Sequence, residues 1–325
     1  MKKILALAIL ATMFVGCEQE NTPEKNDGFI PTGVYFSYGV DATTRTSVEV
    51  NGNATQFLWG AGDQLGISCA ESNNVTNKQV SIAAEYGGKN VATIPTGIEF
   101  NGDADHTFYL YYPYKTSSTA YPVNITSVRH TLKASQNGVV GTNDFMWDKI
   151  TTTVANPYVS SVMKHPFAYI RFYIVNIDTE NTAINNKTVS SITMTADGTL
   201  AGDFTADFNN FEKNQVSFGG TLSKSVTLTA PLTVLPSKEA YAEAKKEIPA
   251  DYPVMIINPA GVGASFDASV QVAGMAPMNT TFEMGSRKFE ANNFYNIGLG
   301  GKFVNGKLTF TVVDWERVTL DVTFN

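Results

Sequence analysis

Val318-Thr319-Leu320-Asp321-Val322-Thr323-Phe324-Asn325 alternates apolar and polar side chains without a break. A period of two puts Val318, Leu320, Val322 and Phe324 on one face of an extended strand, where a helix would scatter them. No partner follows within this ribbon, so it must pair inside its own fold or be offered elsewhere. Residues 33–41 near the other end repeat the pattern, with Val34, Phe36, Tyr38 and Val40 on one face. Between these two ribbons the chain is built almost wholly from short strands.

Strand signals run from residue 33 to about 153: 46–50, 56–59, 64–70, 78–84, 90–98, 106–112, 127–133 and 144–147 follow the first ribbon. Gly, Asn, Asp and Pro separate them at roughly ten-residue spacing, which is β-sandwich punctuation. Trp59-Gly60-Ala61-Gly62-Asp63 reads as a tight turn leading into a buried strand. Phe108-Tyr109-Leu110-Tyr111-Tyr112-Pro113-Tyr114 is almost continuously aromatic. It suits a strand buried on both faces, or on one with its hydroxyls outward. The polar stretch 152–158 (TTVANPY) is the best boundary. Beyond it a second β run begins at 160–177, with later strands at 188–195, 200–205, 214–218, 224–229, 252–257, 266–274, 279–283, 292–298, 307–313 and 317–324. Asn305-Gly306 is a two-residue hairpin signal between 301–304 and 307–313. Only 237–246 departs from this pattern, and its Ser N-cap, alanines and terminal lysines predict one short helix.

The first 17 residues resemble a bacterial lipoprotein leader. Met1-Lys2-Lys3 is a positive start, 4–15 is apolar but too short to span a bilayer, and Gly16 precedes Cys17. The reading divides the chain into a leader with its lipobox (1–17), a polar tether (18–30), an N-terminal β-sandwich (31–155) and a C-terminal β-sandwich (156–325). Acylated Cys17 would anchor the protein to the outer membrane, and palmitate is the expected kind of chain. With Cys17 committed to lipid, Cys69 has no disulfide partner and reads as a small buried side chain.

The formal charge of −7 becomes more negative once Lys2 and Lys3 leave with the leader. No basic run remains for nucleic acid. Among the candidates for chemistry, Gly298-Leu299-Gly300-Gly301-Lys302 lacks the Ser/Thr and the following helix of a phosphate loop. His106, His130 and His165 are too far apart in sequence for ligand spacing, so no metal site is expected. His165 reads as a packed, hydrogen-bonded side chain. Asp103-Ala104-Asp105 and Ala196-Asp197-Gly198 read as turns. No nucleophile elbow or zinc-protease motif is present, so neither an enzyme nor a cofactor is expected. Tyr112 and Trp147 are candidate glycan contacts under an alternative reading, a glycan-binding accessory lipoprotein of the outer membrane.

Assembled in order, these pieces resemble the fimbrillin family of Bacteroidetes, in its Mfa-like branch. They are the lipobox at Cys17, Phe36 with Thr44-Arg45-Thr46, Trp59 to Asp63, Phe108 to Tyr114, Asp144-Phe145-Met146, Met163 to Phe172, Phe289 to Ile297, and Val312-Val313-Asp314-Trp315. The resemblance implies two tandem all-β domains of transthyretin-like sandwich type and a fimbrial subunit that serves adhesion at the cell surface. It also implies maturation by an arginine-specific protease, with Arg45 as the candidate site, which removes the first strand. The strand 318–324 of a neighbouring subunit then fills the slot. Expected partners are other fimbrial subunits, the outer membrane through lipid, and a host or bacterial surface receptor. Four apolar side chains at about 1.5–3 kcal/mol each put the gross burial per junction at about 6–12 kcal/mol.

Overall fold

The computed structural model describes residues 33–40, 48–51, 54–89, 91–246, 248–249 and 251–320. The leader with Cys17, the tether, Arg45, Val322 and Phe324 therefore lie outside the described residues. Strands arranged in five sheets dominate, and the only α-helix among these residues is Lys238–Ala244. Its Ser237 cap accepts a hydrogen bond from the Ala240 amide at 3.2 Å, as the sequence predicts. The all-β class is thus confirmed.

A first core lies between two sheets. One orders its strands Tyr158–Met163, Gly33–Val40, Val91–Glu99; the other runs Met146–Thr152, His106–Tyr112, Gln64–Cys69, Val75–Ser81. Leu65, Ile67, Cys69, Phe108, Leu110, Tyr112 and Met146 from the second sheet meet Ala92, Ile98 and Met163 from the first. Alternation alone cannot account for the aromatic strand. Phe108, Leu110 and Tyr112 enter this core, while Tyr111 on the opposite face joins the larger one. Of the two sequence options, burial on both faces is the one realised. Gly66 has no side chain because a Cβ there would stand 2.1 Å from the Tyr111 ring.

The turn at Trp59–Asp63 forms as read. Gly62 takes φ 82°, where a side chain is strained, and the Asp63 carboxylate accepts the Gly60 amide at 2.8 Å.

A second, larger core is built round a six-stranded sheet in the order Met255–Ile257, Ala168–Asn176, Asn293–Val304, Lys307–Leu320, Ala54–Phe57, Val48–Asn51. Ala168–Asn176 is buried at every position, and apart from Arg171 and Asn176 its AYIRFYIVN sequence is apolar or aromatic, as a strand covered on both faces requires. Asn305 (φ 51°) and Gly306 (φ 75°) form the two-residue turn, and Val304 pairs with Lys307. The C-terminal segments read as 307–313 and 317–324 are one strand as far as Leu320, joined through Asp314–Glu316.

The sheets do not divide at residue 155. Tyr158–Met163, expected to open the second half, runs parallel to the first strand. Ser127–Leu132 pairs with Ala201–Asp207, and Ser135–Gln136 with Ser225–Leu228. Backbone pairing followed burial partners rather than the polar stretch at 152–158.

Candidate functional site

The first strand is the middle member of its sheet. It pairs parallel with Tyr158–Met163 and antiparallel with Val91–Glu99. Among the described residues neither flanking strand ladders with any other strand. Strands in a sheet lie about 4.8 Å apart, so the two flanks are separated by about 9–10 Å, the width of one strand. Taking the middle strand away would leave two facing rows of unpaired N–H and C=O groups.

Register decides which face is which. Phe36 pairs with Val159, Tyr38 with Ser161 and Val40 with Met163; across the other flank Tyr38 pairs with Ala92. Paired residues share a face of the sheet. Ala92, Ser161 and Met163 are buried against the first core and Val159 is half-buried there. Phe36, Tyr38 and Val40 therefore occupy the core-side row of the register, which shifts between Gly33 and Tyr35.

The Tyr158–Met163 flank is tied to the rest of the molecule before Tyr158, where the Thr152 hydroxyl donates to the Asn156 carbonyl at 2.5 Å, and again around Met163. Ser161 donates its hydroxyl to the Asp148 carboxylate, which crosses from the opposite sheet and also accepts the Lys149 amide at 2.7 Å. Burial pushes the Asp148 carboxyl above the usual range, and these two hydrogen bonds only partly counter it. One step further on, Lys164 and Trp147 exchange both backbone hydrogen bonds, at 2.9 and 3.1 Å. His165 then gives its amide to Asn292 Oδ1 at 3.1 Å and accepts from Asn214 Nδ2 at 2.7 Å. Its ring is fully buried, with Nδ1 3.0 Å from Asp144 Oδ1, and Tyr169 donates to the same carboxylate. The expectation of a packed, hydrogen-bonded His165 holds.

The C-terminal ribbon is at home for its described part. Val318 is buried opposite Phe294 within the larger core, and Leu320 pairs with Thr55. From the facing helix Tyr241 donates to Asp314 at 2.7 Å, and Lys245 reaches Asp314 at 2.6 Å and Glu316 at 3.2 Å. Burial alone would raise the Asp314 carboxyl, but the hydrogen bonds from Lys245 and Tyr241 outweigh it and hold the group below its ordinary value.

Tyr112 and Trp147, the candidate glycan contacts, are both fully buried, which corrects that reading. Trp147 donates its indole N–H to Asn214 at 2.9 Å and packs on Phe208 and Phe211; Tyr112 stands edge-on to Trp59.

Residues the sequence did not point to are Asp148, Ser161, Lys164, Asn214 and Asn292. The one available signal was a carboxylate in the strand-like stretch Met146-Trp147-Asp148-Lys149-Ile150.

Among the described residues no helix is long and apolar enough to cross a membrane, which says nothing about β-barrels. No curated protein sequence matches the chain significantly. Two solved structures share its fold. One is a candidate cell adhesion protein of Bacteroides uniformis, 15% identical, TM-score 0.56, covering 90% of this chain and 98% of that one. The other is a candidate cell adhesion protein of Bacteroides ovatus, 13% identical, TM-score 0.52, covering 89% and 98% respectively. The family model described as fimbrillin-like matches residues 44–315. This chain belongs to the fimbrillin-like family.

Proposed function

We propose that this chain is a subunit of a bacterial surface fimbrium that accepts a strand from another subunit in place of its own first strand. The observation that carries the reading is the position of Gly33–Val40 between two strands that, among the described residues, ladder with nothing else. A strand at a sheet edge could be lost with little consequence. Loss of a middle strand opens a slot lined by Ala92, Ile98, Val159 and Met163, which a replacement strand closes by main-chain hydrogen bonding and side-chain burial. Membership of the fimbrillin-like family supports assembly with other fimbrial subunits at the cell surface and a role that is not enzymatic.

The finer parts of the reading follow from the sequence. Arg45 lies five residues beyond the end of the first strand, so a cut there frees it from the body of the protein. Acylation at Cys17 would hold the uncut precursor in the outer membrane. The ribbon carrying Val318, Leu320, Val322 and Phe324 has the apolar face a donor needs. To serve as donor it must first leave its pairing with Phe294 and Thr55.

The test is cleavage of purified precursor by an arginine-specific protease, followed by mass photometry and mild-detergent electrophoresis. Cleaved wild type should form ladders, while Arg45→Ala stays uncut and monomeric. Precursor that is quantitatively cut after Arg45 and remains monomeric at high concentration refutes the reading.

A further inference from the structure

The face of the six-stranded sheet that Lys238–Ala244 covers holds a buried positive charge. Arg171 is 0% exposed in the Ala168–Asn176 strand. Among the described residues its Nε, Nη1 and Nη2 have no hydrogen-bond partner. The centre of the Phe294 ring lies 4.1 Å from its Cζ, so one side of the guanidinium rests on an aromatic face. That contact offsets only part of what burying a charge costs. Burial lowers the Arg171 pKa to about 10, which still leaves the group charged at neutral pH.

Two further polar atoms on this face have no partner among the described residues. Tyr173 follows Arg171 by two positions, so both side chains leave the same face, about 7 Å apart along the strand. Its hydroxyl is buried and unpartnered. Asn296 is the register partner of Arg171; its Oδ1 is unpartnered, while its Nδ2 donates to Glu316 at 3.4 Å. Tyr252 and Tyr241 close over Tyr173, with ring centres 4.9 and 5.2 Å away. Their own hydroxyls are committed to the Phe172 carbonyl and to Asp314. Asp314 and Glu316, further across the same face, are engaged by Lys245 at 2.6 and 3.2 Å. Donors therefore outnumber acceptors: five guanidinium N–H groups and one O–H meet a single free amide oxygen. Water would fill hydrogen bonds here but bring no charge, whereas an anion answers both needs.

We propose that Arg171 and Tyr173 form a binding site for one small inorganic anion of chloride size, enclosed between the sheet and the helix Lys238–Ala244. The guanidinium supplies the charge and most of the donors, the Tyr173 hydroxyl supplies another, and Phe294 backs the guanidinium from the far side. The donor atoms are shielded from solvent, so a bulky anion is excluded and the occupant exchanges only when the helix lifts. Occupancy stabilises the larger core beside the C-terminal strand, because the anion binds the folded arrangement alone. The site is independent of the strand-acceptor reading.

The experiment uses the full chain, uncut. Thermal midpoints are measured as sodium chloride replaces sodium gluconate at constant ionic strength, which holds screening fixed. Wild type should gain roughly 4 °C along a saturable curve. Arg171→Met keeps the length of the side chain without its charge, and its midpoint should not respond to chloride. Tyr173→Phe loses only the hydroxyl and should need about tenfold more chloride for half the gain. Glu316→Gln and Lys245→Ala should keep the wild-type response. Crystals soaked in sodium bromide should show the anomalous signal of one bromide beside Arg171 and Tyr173.

No bromide at Arg171 overturns the proposal and leaves the guanidinium to water. A midpoint gain as large in Arg171→Met as in wild type places the chloride effect elsewhere and overturns it too. A chloride response found only in Glu316→Gln shows that the strand's own carboxylate fills the site, which overturns the inorganic occupant. Should Arg171→Met fail to fold, the bromide position and the Tyr173→Phe titration decide.

Discussion

The first strand and the C-terminal strand have the same alternating sequence pattern and opposite situations. Gly33–Val40 is flanked on both sides, but by strands that depend on it for their ladders. Lys307–Leu320 is the longer and is paired with Asn293–Val304 from Lys307 to Val318. It is further held by the Lys245–Asp314–Glu316 cluster across its face. A two-residue period identifies a strand with one apolar face. How firmly that strand is held depends on what its neighbours can do without it. The first strand is the one whose removal changes the surroundings most, and the C-terminal strand the one most costly to extract.

Substitutions sharpen the contrast, beginning with the largest effect. Met163→Ala empties a fully buried position in the wall of the slot and should cost about 2–5 kcal/mol of stability by chemical denaturation. It should also weaken uptake of a synthetic peptide of residues 33–45 by the chain nicked after Arg45, and a stable variant that still takes up this peptide normally would show that this wall is unimportant. Val318→Ala removes most of one buried side chain at the end of the C-terminal strand and should cost about 1–3 kcal/mol. Its effect on the nicked monomer's peptide uptake should be negligible, since its contacts are in the other core. An equal loss of uptake would erase the distinction between the two strands.

A smaller effect, about 1–3 kcal/mol, is expected for Ser161→Ala, because it deprives a buried carboxylate of its hydroxyl donor. Asp148 itself gives a pH signature. Burial raises its pKa in the fold, so folding favours the protonated form. The stabilisation this provides is complete below the ordinary Asp value of about 4 and is lost as pH rises through the higher folded value. Relative to wild type, Asp148→Asn should therefore gain thermal stability progressively from about pH 4 to pH 7, its amide oxygen still accepting from Ser161. A constant difference across that range would mean that burial does not raise the Asp148 carboxyl above its ordinary value.

The smallest effect lies at the helix. Lys245→Ala breaks two partly exposed ion pairs and should cost at most about 1 kcal/mol. Asp314 has a lowered pKa, so its contribution is present above the ordinary carboxylate value and lost as pH falls through the folded one. Acid should therefore narrow the gap between Lys245→Ala and wild type, as read by thermal midpoints from pH 6 down to pH 3.

Much of the fold was legible because local chemistry and tertiary structure agree. The Asn305-Gly306 turn, the Ser237 cap and the Trp59–Asp63 turn each carry their own instruction in residue type. The candidate site was legible only in its occupant, through Val34, Phe36, Tyr38 and Val40. Its walls were not, because Ser161 and Asp148 are ordinary strand residues until a register places one across from the other. Tyr112 and Trp147 misled for the converse reason: a large aromatic side chain suits a core as well as a sugar, and only its neighbours decide between them.

What the amino-acid sequence determined by itself was the set of pieces: β class, turn positions, one short helix, and an amphipathic ribbon near each end. Period and turn chemistry are properties of neighbouring residues, so they can be read without a fold. Only the tertiary structure decided that residues 158–163 flank the first strand, that Ser127–Leu132 joins the larger core, and that His165 is fixed by Asn292. Those outcomes depend on which edges meet across 70 residues of chain or more. Main-chain hydrogen bonds are alike at every position and so carry no sequence label. Which edge meets which is settled by the packing of side chains that the chain brings together only when folded.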